Sequence, residues 1–181
     1  NTRDAEGRLV SCSHWMRAVT RTEKDGKVAV LADAFDGKKL NSPNDLVYKS
    51  DGSLYFTDPP FGLPNGFADP AKETPHSGVY RWRDGEVTLL TTDLSGPNGI
   101  AFSPDEKKLY VAQSDPAAAV WLEFPVNSDG ALGQSKLFHD ATSAVDKLPG
   151  LPDGLKVDQH GNIFGTGPGG VYVFDPDGTL I

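Results

Sequence analysis

The sequence predicts an all-β chain built as part of a β-propeller. Three observations carry this prediction. First, a tripeptide recurs as Pro43-Asn44-Asp45, Pro97-Asn98-Gly99 and Pro152-Asp153-Gly154, and its central residues are 54 and 55 positions apart. Second, each copy leads into the same text: a short apolar run, a polar turn and a second apolar run rich in Val, Leu, Tyr and Phe, which is the pattern of a β-hairpin. Third, a second hairpin follows in every unit, so about 50 residues hold four antiparallel strands, the makings of one propeller blade. No helical period competes over a useful length.

The strands follow in order. Arg8 to Cys12 is the partial first copy, and Val19-Thr20-Arg21 turns at Lys24-Asp25-Gly26 into Val28 to Leu31. Leu46 to Tyr48 crosses Asp51-Gly52 into Leu54 to Asp58, and Val79 to Trp82 crosses Asp84-Gly85 into Val87 to Leu90. Ile100 to Phe102 leads to Leu109 to Ala112, and Val120 to Leu122 passes Asp129-Gly130 toward Lys136 to Phe138. Leu155 to Val157 leads to Ile163-Phe164, and Val171 to Phe174 reaches Asp177-Gly178. About three and a half blades result: a partial blade over 1–40, blades over 41–94 and 95–142, and a partial blade over 150–181. The first is expected to lack its inner strand and the last to stop within its outer strand. The chain, which opens without Met, is therefore expected to be a piece of one larger propeller domain. Open blade faces and edges would favour self-association.

Composition narrows the function. The 181 residues carry a formal charge of −8, with 38% hydrophobic and 23% charged residues, the make-up of a soluble globular protein. Net acidity with no Lys/Arg run argues against nucleic acid and anionic membranes as partners. No apolar stretch approaches the roughly 18 residues of a membrane-spanning helix. The single Cys12 excludes an internal disulfide and a Cys-cluster zinc site, and is expected to be core. There is no Gly-x-Ser-x-Gly elbow and no His-Glu-x-x-His motif. Gly167-Pro168-Gly169-Gly170 reads as a turn between strands, not a phosphate cradle. The sequence does not indicate a compartment.

The repeat sorts the polar residues. With strands a to d running from axis to rim, the Pro-Asn/Asp tripeptides sit at the start of strand a, at the end called the top. Asn44, Asn98 and Asp153 then point into the top of the central channel at similar height. Two amide oxygens and a carboxylate suit a hard divalent cation, Ca²⁺ or Mg²⁺, with Mn²⁺ or Zn²⁺ as alternatives. The competing reading is that Pro-Asn-Gly and Pro-Asp-Gly are ordinary turn signals. The long loop from Pro59 to Ser77, with Phe61, Leu63, Phe67 and His76, is expected to overhang the channel mouth. His14, His76 and His139 map to the top and His160 to a bottom turn. His14, just after an inner strand, is the best histidine for contacting a substrate. Asp58 ends the equivalent strand and either contacts substrate or, with more weight, holds a loop. Trp15, Trp82 and Trp121 are expected between blades or near the top rim.

The text Asn41-Ser42-Pro43-Asn44-Asp45-Leu46, followed by Asp51 to Gly62, resembles the gluconolactonase branch of the SMP-30/gluconolactonase/LRE-like family. So do Gly96-Pro97-Asn98-Gly99-Ile100-Ala101-Phe102-Ser103-Pro104-Asp105 and Leu151-Pro152-Asp153-Gly154-Leu155. The resemblance covers essentially the whole chain. It implies a six-bladed propeller with a divalent metal, usually calcium, at the top of the channel, and hydrolysis of sugar lactones or related esters. It further implies that Asn98 and Asp153 are direct metal ligands and that Asp153 is the general base. Asn44 would be a ligand or a nearby contact for substrate and water. The family pattern also has a metal-binding Glu in an early Glu-Gly-Pro-type motif. This sequence begins after that point, and Glu6 falls in a bottom turn. The expected activity is metal-dependent lactone hydrolysis on a small-molecule substrate. Hydrolysis of other esters or organophosphates, and a non-catalytic propeller with a structural metal, are the alternatives.

Overall fold

Apolar runs pair with their neighbours in sequence throughout the computed structural model, which describes residues 1–181. Four successive antiparallel meanders result, each a propeller blade, as the repeats predict. The first joins Thr2–Arg3, Leu9–Ser13, Ala18–Thr22 and Val28–Ala32. The second joins Leu46–Tyr48, Leu54–Asp58, Gly78–Arg83 and Glu86–Thr91. The third joins Pro97–Phe102, Lys108–Gln113, Val120–Pro125 and Lys136–Asp140. The fourth joins Leu155–Val157, Ile163–Gly167 and Gly170–Phe174. Two compact units divide them, Asn1–Leu94 with the first two sheets and Ser95–Ile181 with the last two.

The Asp-Gly turns make these meanders. A left-handed glycine closes these turns at Gly26, Gly52, Gly130 and Gly178, and at Asp84-Gly85 both residues are left-handed. The aspartates brace the same turns by accepting a backbone N–H two residues on, as Asp51 does from Ser53 at 2.9 Å and Asp158 from His160 at 2.8 Å. Gly167 pairs with Gly170 across Pro168-Gly169, the expected turn between strands.

Three expectations are corrected, and one further element is found. The first sheet does have a two-residue inner strand, because Thr2 and Arg3 pair with Val10 and Leu9. Trp15 is not packed: it is 96% exposed on the turn after Leu9–Ser13. His139 is not in a top loop but in the outer strand Lys136–Asp140. A small hairpin, Ala34–Phe35 with Lys38–Lys39, was not anticipated, although Asp36-Gly37 is a strong two-residue hairpin signal. It brings Phe35 to 5.4 Å from the Tyr80 ring.

Each unit has its own core. In the first, Val10, Val19, Ala32 and Leu40 pack with Leu46, Leu54, Phe56 and Tyr80, so the facing sides of its two sheets share one apolar layer. Cys12 packs against that layer, and burial pushes its thiol pKa up, as suits a core residue. In the second, the fully buried Trp121 lies between its two sheets. Its ring is 5.2 Å from Tyr172, 5.7 Å from Phe174 and 5.7 Å from His139. Gly165 and Gly167 lie on one face of their strand and form the floor for the indole. A Cβ at either would fall 2.7 Å from a ring atom of Trp121.

Trp121→Ala should empty the largest side-chain site of this core. We expect a loss of about 3–5 kcal/mol in urea unfolding. A loss under about 1 kcal/mol would contradict this packing.

Candidate active site

The inner strands set the frame. Asn44, Asn98 and Asp153 each lie two residues before the first regular pair of their strand: Leu46 with Phe56, Ile100 with Val111, and Leu155 with Gly165. The backbone repeats in detail. Asn44 N–H donates to the Thr57 carbonyl at 2.9 Å and Thr57 N–H to Asp45 at 3.0 Å; Asp153 N–H donates to Thr166 at 3.0 Å and Thr166 N–H to Gly154 at 2.9 Å. The three residues are equivalent in register, and the tripeptides begin inner strands instead of isolated turns.

In the second unit two of them come together. Gly99 N–H donates to the Asp153 carbonyl at 3.1 Å, which binds the two inner strands at the candidate site. A Cβ at Gly99 would lie 2.1 Å from that oxygen, so only glycine permits the approach. This glycine serves close packing, not a left-handed turn. Asn98 is 8% exposed, and its Nδ2 donates to Ser114 Oγ at 2.9 Å. Asp153 is exposed. No group of three or more His, Cys, Asp or Glu is placed to hold a metal. The donors available are amide and carboxylate oxygens, a chemistry that fits a hard divalent cation.

In the first unit the residues around Asn44 form a clasp. Asn41 N–H donates to Asp58 Oδ2 at 2.7 Å. Its side-chain nitrogen reaches the carbonyls of Asp58 and His76 at 3.0 Å each, and its oxygen accepts from Thr74 Oγ1 at 2.9 Å. Ser42 Oγ donates to the Pro59 carbonyl at 2.6 Å and accepts Gly62 N–H at 2.8 Å. Arg17 Nε bridges the carbonyls of Leu40 and Asn41 at 2.8 and 2.9 Å, and its Nη1 reaches Ala71 at 3.0 Å. The long loop is thus tied at both ends to the segment that delivers Asn44. Asp58 has no exposed surface and takes the loop-holding geometry. Burial pushes its carboxyl up to about 7, although the N–H groups of Asn41 and Ser42 and the charges of Arg17 and Lys72 pull it down.

His14 is exposed, with its ring against Gly62 of that loop, where a Cβ would fall 2.6 Å from the ring's Cγ. His76 contacts Tyr80 Oη through Nε2 at 3.3 Å, and burial lowers its pKa. His160 lies in its bottom turn, as expected. Glu6 also lies in a turn, paired with Arg8 Nη2 at 2.9 Å. Sequence reading gave no role to Arg17, Asn41, Ser42 or Ser114. Asn41 and Ser42 stood inside the recurrent motif, where two polar residues before a proline were the available signal. Arg17 and Ser114 carry no local signal, since their partners are 16 to 54 residues away.

Comparison with known proteins matches this arrangement to one family. The sequence model of the SMP-30/Gluconolactonase/LRE-like region matches residues 1–181. A gluconolactonase of Zymomonas mobilis is 44% identical over 157 residues, which is 84% of this chain and 44% of that protein. The pentonolactonase XacC of Haloferax volcanii is 30% identical over 139 residues, 70% of this chain and 46% of its own length. The solved structure of a gluconolactonase from Xanthomonas campestris superposes with a TM-score of 0.84 at 41% identity, over 99% of this chain and 59% of that one. The chain spans about half the length of the curated relatives it matches.

The clasp makes a pH prediction. The folded chain holds the Asp58 proton up to about pH 7, whereas the unfolded chain releases it near 3.8. The folded state therefore binds more protons across this window, and stability falls as pH rises from about 4 to 7, by as much as about 4 kcal/mol. Asp58→Asn keeps an acceptor for Asn41 and should flatten the profile in urea unfolding at stepped pH. Parallel profiles for the two proteins would contradict the buried-carboxyl reading.

Proposed function

The chain belongs to the SMP-30/gluconolactonase/LRE-like family, and on that premise we propose that it serves metal-dependent hydrolysis of sugar lactones. The observation that carries this reading is the backbone bond from Gly99 N–H to the Asp153 carbonyl, which sets the starts of the inner strands bearing Asn98 and Asp153 side by side. The names of two relatives, a gluconolactonase and a pentonolactonase, support sugar lactones as the substrate class.

Asn98 and Asp153 would hold the cation through side-chain oxygens, with Asn44 as a further ligand or a contact for substrate and water. Bound there, a divalent cation, Ca²⁺ first and Mg²⁺, Mn²⁺ or Zn²⁺ as alternatives, supplies Lewis-acid polarisation of the lactone carbonyl. The exposed Asp153 carboxylate accepts a proton from water as that water attacks the carbonyl carbon. The ring C–O bond then breaks, and the proton passes to the departing alkoxide, giving the open-chain hydroxy acid. His14 presents ring nitrogens that can bond sugar hydroxyls. Asp58 acts at one remove, by fixing the loop and the Asn44 segment from its buried position.

Hydrolysis of δ-gluconolactone, followed with a pH indicator with and without Ca²⁺, tests the proposal. We expect Ca²⁺-dependent turnover above the spontaneous rate, and a loss of roughly 10²-fold or more in Asp153→Ala. Wild-type turnover in Asp153→Ala would overturn the role. Turnover of simple esters without turnover of lactones would overturn the substrate class.

A further inference from the structure

Ser114 links Asn98 to Pro152, the residue before Asp153, and so touches both segments that the proposed reading makes carriers of metal ligands. It follows the strand Lys108–Gln113, and its N–H donates to the Gly96 carbonyl at 2.8 Å. Its hydroxyl touches two different segments. It donates to the Pro152 carbonyl and lies 2.9 Å from Asn98 Nδ2.

The chemistry of these partners sets the direction of both bonds. A carbonyl oxygen can only accept, so the single hydroxyl proton of Ser114 is committed to Pro152. What remains toward Asn98 is a lone pair, which can only receive a hydrogen. Asn98 must therefore turn its NH₂ toward Ser114 and its Oδ1 to the opposite edge of the amide plane. The reversed amide would set oxygen against lone pair on one side and present hydrogens to a cation on the other. By the same grip Ser114 holds the residue just before Asp153, beside the Gly99 to Asp153 backbone bond.

We propose that Ser114 is a positioning residue for the cation site: it selects which end of the Asn98 amide a divalent cation meets, and ties that choice to the strand carrying Asp153. The inference rests on the reading of Asn98 and Asp153 as metal ligands. It requires a hydroxyl at position 114 but not serine in particular.

Calorimetric titration of the full 181-residue chain with Ca²⁺ alone tests it, with circular dichroism confirming that each variant folds. Ser114→Ala should weaken Ca²⁺ binding by at least about tenfold, the scale of losing a partner that orients a metal ligand. Ser114→Thr keeps the hydroxyl and should bind within about threefold of wild type. The decisive variant is Asn98→Asp, because a carboxylate has no wrong end. In that background, Ser114→Ala should cost almost nothing, a non-additivity that general loosening of the fold would not produce. Two results overturn the proposal. If Asn98→Ala abolishes binding while Ser114→Ala binds as wild type, the ligand reading stands and Ser114 has no part in it. If Asn98→Ala and Asp153→Ala both bind Ca²⁺ as wild type does, the ligand reading fails and the role of Ser114 falls with it.

Discussion

One backbone hydrogen bond governs the candidate site: Gly99 N–H to the Asp153 carbonyl, at 3.1 Å. It fixes how closely two inner strands from successive blades approach, and with that the reach between Asn98 and Asp153. The bond exists because position 99 has no side chain. Ser114 reinforces it from one side, gripping Asn98 and Pro152 together. Behind it, Trp121 fills the space between the two sheets and rests on Gly165 and Gly167. Packing, strand spacing and the placement of Asn98 and Asp153 are therefore linked in the second unit. A change in the core of that unit has a route to the site through the strands that carry it.

The first unit reaches a similar result by other means. The Asn44 segment is held by side chains: Asn41 and Ser42 grip the ends of the long loop, Arg17 holds Leu40 and Asn41, and Asp58 sits buried at the centre. Burying a carboxyl with so few compensating partners is costly. The cost falls at the base of the longest loop of the chain, where a fixed backbone delivers Asn44. Thus the same inner-strand position is stabilised by glycine-permitted strand contact in one unit and by a polar clasp in the other.

The repeat made most of the fold legible, because propeller blades are local meanders and their turns carry Asp-Gly at fixed places. The same repeat placed Asn44, Asn98 and Asp153 in equivalent register, which the strand pairing reproduces. What stayed hidden depends on long-range partners. Trp15 is apolar but finds no neighbour on its turn, while Trp121 is fully buried. His139 looked like a top-loop residue, yet its strand carries it into the aromatic cluster. Gly99 read equally well as turn punctuation, since no local pattern distinguishes a glycine that bends the chain from one that lets another strand approach. Ser114 carried no signal because its partners, Asn98 and Pro152, lie 16 and 38 residues away.

In the site we propose, two inner strands present oxygen ligands to one cation. A crystal structure of the chain grown at saturating Ca²⁺ tests it most directly. An ion is expected within about 2.3–2.6 Å of Asn98 Oδ1 and of a carboxylate oxygen of Asp153. Ca²⁺ bound elsewhere with no ion between these side chains, or an ion facing the Asn98 nitrogen, would contradict it.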